Sequence, residues 1–194
     1  YGLQLPILRA IQESPKLDYR LIVSGAHLDK NFGNTLAEIE KDGFKIHAEV
    51  ALEMADSSVA STASAIGQCV IKMTDILVDL QPDIHVVYAD RFEGFGAVIA
   101  STQLNIPTAH IEGGDITEGG ALDDSVRHAM SKISHVHFTT NQQASNRLMA
   151  MGEEQWRINT VGFAAMDMVQ DTNYATPEEV NTQLEIDFER PIVI

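Results

Sequence analysis

The chain has 194 residues, with 13 Lys and Arg against 28 Asp and Glu, a formal charge of −15, and it is 44% hydrophobic and 21% charged. These are the proportions of an ordinary globular protein with a real core. They argue against nucleic acid as a partner, because that binding needs clustered Lys and Arg to release phosphate counterions. No apolar run approaches the ~18 residues of a membrane span, so no membrane partner is expected; Cys69 is the only cysteine, and a reducing cytoplasm is the expected setting.

Short apolar runs alternate with longer helix-like segments along the chain. In order, the pattern predicts helix 3–13, strand 19–23, helix 33–41, strand 44–47, helix 57–81, strand 84–88, helix 92–104, strand 108–111, helix 123–133, strand 137–140, helix 142–151 and strand 158–161. The long helix rests on Val59, Ala63, Ile66, Val70, Met73, Ile76, Leu77 and Leu80 at helical spacing, and Pro82 must end it. Alternating β and α elements with short connections predict an α/β fold, a Rossmann-like parallel sheet with helices on both faces. Thr176 and Pro177 read as the N-cap and first position of a further helix, after a polar stretch at 170–173, so a domain boundary is placed near residue 172. Both ends are expected to be cut. The chain opens inside the periodic pattern of Leu3, Ile7, Leu8 and Ile11, and it stops at Pro191-Ile192-Val193-Ile194, which reads as the start of a buried strand.

In such a sheet, ligands bind beyond the carboxyl ends of the strands. The residues at those ends are Ser24-Gly25-Ala26-His27, Ala89-Asp90-Arg91, Glu112-Gly113-Gly114, Asn141 and Gly162. Asp90 and Glu112 end strands joined by one helical crossover. Neighbouring strands lie about 4.8 Å apart, so the two carboxylates can share a crevice and divide the work of acid and base. Each residue has a plainer reading beside this one. Asp90 can cap the helix that starts near Phe92. Asp123 or Asp124 can cap the helix that follows, and Asp123 can pair with Arg127 one turn on. Glu112, followed by two glycines, has no such structural role.

His110, His128, His135 and His137 raise the question of a metal, but no pair has a zinc-motif spacing and only one Cys is present, so no metal is expected. His135 and His137 should point the same way along their strand. Gly113, Gly114, Gly119 and Gly120 lack the Lys of a phosphate-binding loop, and Gly94-Phe95-Gly96 lies inside a predicted helix without a third Gly. Neither a nicotinamide cofactor nor a G-x-S-x-G hydrolase is supported.

The runs Asp90-Arg91-Phe92-Glu93, His110-Ile111-Glu112-Gly113-Gly114-Asp115-Ile116-Thr117-Glu118-Gly119-Gly120 and Asp123-Asp124-Ser125-Val126-Arg127-His128 closely resemble the hydrolysing UDP-N-acetylglucosamine 2-epimerases of the sialic acid type. Ser24-Gly25-Ala26-His27-Leu28 and Phe138-Thr139-Thr140-Asn141 are similar to that family too. The resemblance covers nearly the whole chain. It implies the N-terminal half of a two-domain glycosyltransferase-B-like fold, with residues 1–172 as a Rossmann-like domain lacking its first strand and 173–194 as a linker and the start of a second domain. The site would lie in the cleft between the halves, and the second domain would carry the family's catalytic His and much of its UDP pocket.

What the resemblance implies for chemistry is loss of UDP from C1 and of the proton from C2, giving a glycal to which water adds, with N-acetylmannosamine and UDP as products. No cofactor is implied. Asp90, Glu112 and Asp123 match the catalytic carboxylates by position. Arg127, Asp124, His27 and Asn141 match positions that could hold substrate. Ala89 departs from the pattern, since the family usually has Gly there, and modest strain is expected. A homodimer or homotetramer is the expected assembly. The same motifs would also serve a sister enzyme acting on a UDP-2,4-diacetamido-trideoxyhexose (diacetylbacillosamine). A different class, a non-catalytic sugar-nucleotide-binding domain, would use the same carboxylates only to bind hydroxyls.

Overall fold

A computed structural model describes residues 1–29, 35–54, 56, 58–117, 122–171 and 175–184. The elements run α1 (Leu5–Glu13), β1 (Leu21–Ser24), α2 (Thr35–Lys41), β2 (Ile46–Val50), α3 (Val59–Leu80), β3 (His85–Tyr88), α4 (Phe92–Gln103), β4 (Thr108–Ile111), α5 (Leu122–Ile133), β5 (Val136–Thr139), α6 (Gln142–Ala150), β6 (Ile158–Thr160), α7 (Asp167–Asp171) and α8 (Pro177–Leu184). Every strand and helix predicted in order is present, with ends moved by at most three residues. The predicted strand at 191–194, the boundary near 172, and Gly119 and Gly120 lie outside the described residues.

All strand pairs are parallel, in two ladders: β1 with β2, and β3-β4-β5-β6. Helices cover both faces. On one face α3 packs on α4, and α4 on α5. Their buried residues Cys69, Met73, Leu77, Ala97, Val98 and Met130 form a core with Val50 of β2 and Val87 of β3. On the other face, α1 and α2 give Leu5 and Ile39 to a second core with Val23 and Phe44. Strand β1 serves both, with Ile22 against the first and Val23 in the second, as the period of two in a strand requires.

Local signals explain the helix ends. Ser58 caps α3 by accepting from the Ser61 N–H at 3.2 Å, and Gln81, in the left-handed conformation, closes it just before Pro82. At α8, Thr176 Oγ1 accepts from the Glu179 N–H while the Glu179 carboxylate accepts from the Thr176 N–H, at 3.2 and 2.7 Å, a reciprocal capping box. Among the described residues, no helix is long and apolar enough to cross a membrane.

The G-x-G in α4 has a packing reason. A Cβ on Gly96 would stand 2.7 Å from Cys69 Cβ and 3.1 Å from the Ile66 carbonyl oxygen, so α4 packs closely on α3 at Gly96. Gly67, on α3, has nothing within 4 Å of the same point. Two alanine variants should therefore diverge in urea unfolding. Gly67→Ala should gain about 1 kcal/mol from helix propensity. Gly96→Ala should lose stability, because overpacking of about 1–3 kcal/mol outweighs that gain.

Candidate active site

The site is built by an irregularity repeated on adjacent strands. The β3–β4 ladder pairs Tyr88 with Ile111, and β4–β5 pairs Ile111 with Phe138. One residue further on, the Ala89 N–H donates to the Ile111 carbonyl and the Glu112 N–H to the Phe138 carbonyl, both at 2.9 Å. At that point both chains turn into the left-handed region, with φ of 58° at Ala89 and 63° at Glu112. This conformation costs a residue with a Cβ about 1–2 kcal/mol, and such outliers gather where function demands a particular direction. Ala89 thus carries the strain expected of it. The two turns deliver Asp90 and Glu112 to the same carboxyl edge.

Asp90 does not cap α4. The capping position belongs to Arg91, which makes no side-chain cap; the plainer reading fails because the left-handed turn sends Asp90 elsewhere. Its carboxylate accepts from the Arg127 guanidinium of α5 in an ion pair with both side chains largely buried, at 18% and 10% exposure. Arg127 also approaches Asp124 Oδ1 at 3.9 Å, one turn back on its own helix. The expected partner, Asp123, is exposed, because α5 turns its Asp124 side inward. Asp124 Oδ1 in turn accepts from the Thr117 N–H at 2.8 Å, tying the loop to the helix.

Glu112 is half-buried and accepts a hydrogen bond from the Tyr88 hydroxyl. Burial raises the Glu112 carboxyl above its ordinary range, and the charges of Asp115 and Asp90 push the same way, against the Tyr88 hydrogen bond and Arg127. Burial and Glu112 itself hold the Tyr88 phenol well above its usual range, so it remains a donor. Next to this pair, Asp115 accepts from Thr140 Oγ1 at 2.7 and 2.9 Å and from Asn141 Nδ2 at 3.4 Å. Asn141 also caps α6, its Oδ1 accepting from the Ala144 N–H at 2.9 Å. Tyr88 and Asp115 were not singled out from sequence. Both stand beside marked residues in the quoted runs, but only the fold turns them towards Glu112.

Arg91 grips the buried Glu93 through two nitrogens at 3.0 and 3.2 Å. Its guanidinium is raised first by that hydrogen bond, and nearby Asp123 and Asp90 add to the effect. His27 lies in the Gly25–Leu28 turn after β1, half-buried, with Nδ1 unpartnered among the described residues. Burial lowers its pKa, and Glu93 and Arg91 act on it electrostatically. Asp123 and His27 are therefore linked electrostatically to the Asp90 group through the Arg91–Glu93 pair.

The histidines divide. His135 precedes β5, is exposed, and takes the Thr108 N–H on Nδ1 at 3.1 Å, whereas His137 is buried against Glu153 at 3.2 Å. The two differ in burial and partner, and His135 lies just outside β5. Among the described residues no group of His, Cys, Asp and Glu could hold a metal ion. A groove along Glu40 and Phe44 to Glu49 flanks β2, away from all of these carboxylates.

The arrangement is an acidic wall in which Asp90 is an ion-paired carboxylate and Glu112 a carboxyl disposed to hold a proton. The family described as UDP-N-acetylglucosamine 2-epimerase matches residues 9–194. A Legionella pneumophila protein named UDP-N,N'-diacetylbacillosamine 2-epimerase (hydrolyzing) is 34% identical over 194 residues, 100% of this chain and 51% of that protein. The UDP-N-acetylglucosamine 2-epimerase of Neisseria meningitidis serogroup B is 28% identical over 189 residues, 97% of this chain and 49% of its own length. The crystal structure of UDP-GlcNAc 2-epimerase from Neisseria meningitidis bound to UDP-GlcNAc superposes with a TM-score of 0.76 at 18% identity, over 88% of this chain and 46% of that one. The chain thus spans about half the length of the relatives it matches and shares the α/β, glycosyltransferase-B-like fold of the part it covers. It belongs to the UDP-N-acetylglucosamine 2-epimerase family.

Proposed function

We propose that the full-length protein is a hydrolysing sugar-nucleotide 2-epimerase, converting UDP-N-acetylglucosamine to N-acetylmannosamine and UDP for sialic acid synthesis. The observation that carries this reading is the pairing of Asp90 and Glu112 on one edge, the first held by Arg127 and the second by Tyr88. In the first step the C1–O bond breaks with its electrons leaving on UDP, and a carboxylate takes the C2 proton, leaving a C1–C2 double bond. The C2 proton is weakly acidic, so departure of UDP must lead and build positive charge on the ring, which an acidic wall stabilises. Water then adds its oxygen to C1 while a carboxyl returns a proton to C2 from the opposite face. Asp123 and Asp124 at the start of α5 extend the wall, and His27, Arg127 and Asn141 are proposed to hold the sugar or the diphosphate.

The second reading is the same reaction on a UDP-2,4-diacetamido-trideoxyhexose. The names of the Legionella relative and of a Campylobacter jejuni relative, 32% identical over 184 residues, favour it. Residues 1–172 are read as the first domain and the remainder as the start of the second, which would supply the facing wall. We also infer a further parallel strand between β1 and β3 in the full-length protein. Helix α2 carries β1 to β2 on one face, and α1 lies on that same face. A right-handed connection into β1 through α1 must therefore start from the β3 side.

Three results test this reading. In D2O, the full-length protein should release 2-acetamido sugar deuterated at C2 together with free UDP; a UDP-linked epimer as product would point to a non-hydrolysing enzyme, while residues 1–194 alone should release no UDP. Glu112→Gln should lower turnover by about 10²–10⁴ with Kd for the UDP-sugar changed less than about threefold, whereas a binding domain would lose affinity instead. The raised carboxyl also has a signature in stability. A group whose folded pKa lies above its unfolded value stabilises below that value, and the contribution is lost as pH rises through the folded pKa. Glu112→Gln removes that loss, so the unfolding free energy of the variant relative to wild type should increase as pH rises above about 4.

A further inference from the structure

Beneath the carboxylates lies a side chain the reaction does not touch. His110, on β4 two residues before Glu112, is 0% exposed. Its Nε2 is 2.7 Å from the Ala89 carbonyl oxygen, and its Nδ1 is 3.0 Å from Ser131 Oγ on α5. A carbonyl can only accept, so Nε2 carries a hydrogen. The Ser131 hydroxyl has one hydrogen and two neighbours to give it to, Nδ1 and the Arg127 carbonyl oxygen, also at 3.0 Å. With a neutral ring, Nδ1 accepts from Ser131; burial, which pushes the imidazole down to about 4, favours that form.

The strand position would suit Val or Ile, and an apolar side chain there would leave the Ala89 carbonyl without this donor. Ala89 is the residue forced left-handed, and Asp90 follows it. The ring also abuts the next turn: a Cβ on Gly113 would stand 2.9 Å from Nδ1 and 2.8 Å from Ser131 Oγ. One imidazole thus joins the Ala89 turn, the strand that ends in Glu112, and the helix that carries Arg127 and Asp124.

We propose that His110 is a positioning residue: its Nε2–H holds the Ala89 carbonyl and so fixes the turn that aims Asp90 at Arg127. Only the kinetic part of its test rests on the reaction proposed above. His110 acts through Asp90, so its loss should slow turnover without weakening the hold on substrate, since small misplacement of reacting groups costs up to about 10² in rate.

Two measurements on the full-length protein decide it. With ¹⁵N-labelled histidine, long-range proton–nitrogen correlations should show His110 as the neutral Nε2–H tautomer from about pH 6 to about pH 8; an Nδ1–H tautomer cannot donate to Ala89 and would overturn the proposal. This measurement needs no substrate, so an inactive wild-type protein would count against the reaction and not against His110. The second compares His110→Gln, whose amide nitrogen can reach the same carbonyl, with His110→Leu, which fills similar space and donates nothing. Gln should retain kcat at least about tenfold above Leu, with KM within about threefold in both. Equal kcat in the two variants, or a loss confined to KM, would reduce His110 to packing. If the Leu variant does not fold, the tautomer decides.

Discussion

Two residues with side chains, Ala89 and Glu112, leave adjacent parallel strands through left-handed turns at the same height, and the site depends on that repeated turn. An ordinary extended exit would send the following residue along the strand or into a helix cap. The left-handed exit rotates the chain, so that Asp90 reaches across to α5 and Glu112 stays over the end of β3 beside Tyr88. Strain of this kind persists only where surrounding contacts over-determine it. Here the ladder N–H bonds to Ile111 and Phe138 hold the turns from above, and His110 holds the first of them from below.

The second constraint is charge. A chain with a net charge of −15 gathers carboxylates on one edge of its sheet, and each needs a reason to stay there. Asp90 has Arg127, Asp124 has the Thr117 N–H, Asp115 has Thr140 and Asn141, and Glu93 has Arg91. Glu112 has the Tyr88 phenol and the more distant Arg127, and burial with the neighbouring negative charges of Asp115 and Asp90 raises its affinity for a proton. Two chemically similar side chains thus stand in different surroundings, one in an ion pair with a guanidinium and the other bonded to a phenol.

How much of this could be read in advance follows from the range of each interaction. The six strands between residues 19 and 161, α3 with its Pro82 stop, and the Thr176–Pro177 helix start are encoded within a few residues, and these appear as expected. The convergence of Asp90 and Glu112 was legible too, because a parallel α/β pattern puts strand ends on one edge. The partner of Arg127 was not. Helical spacing favours Asp123, but the ion pair is made with Asp90, 37 positions away, through a turn that Ala89 gives no local sign of adopting. Gly96 looked like a fragment of a nucleotide motif because its real neighbour, Cys69, lies on another helix. Asp115 and Tyr88 were hidden for the same reason.

The histidines show how one residue type takes different duties through burial and partner. In register, His110 of β4 lies beside His137 of β5, and both are fully buried. His137 joins a network around the buried Glu153, which also binds Lys132 at 2.7 Å and Arg157 at 3.3 Å. Burial alone would raise the Glu153 carboxyl, but the Lys132 and His137 hydrogen bonds outweigh it and hold it low. That network draws its members from α5, β5 and the segment leading into β6, so its effect is to fasten one edge of the sheet. His110 faces a backbone carbonyl and a hydroxyl instead of a charge, and the element it fastens is the turn before Asp90. A polar core residue under a strand end is therefore best judged by which backbone group would be left unpaired without it. For His110 that group belongs to the residue whose conformation aims a carboxylate of the site.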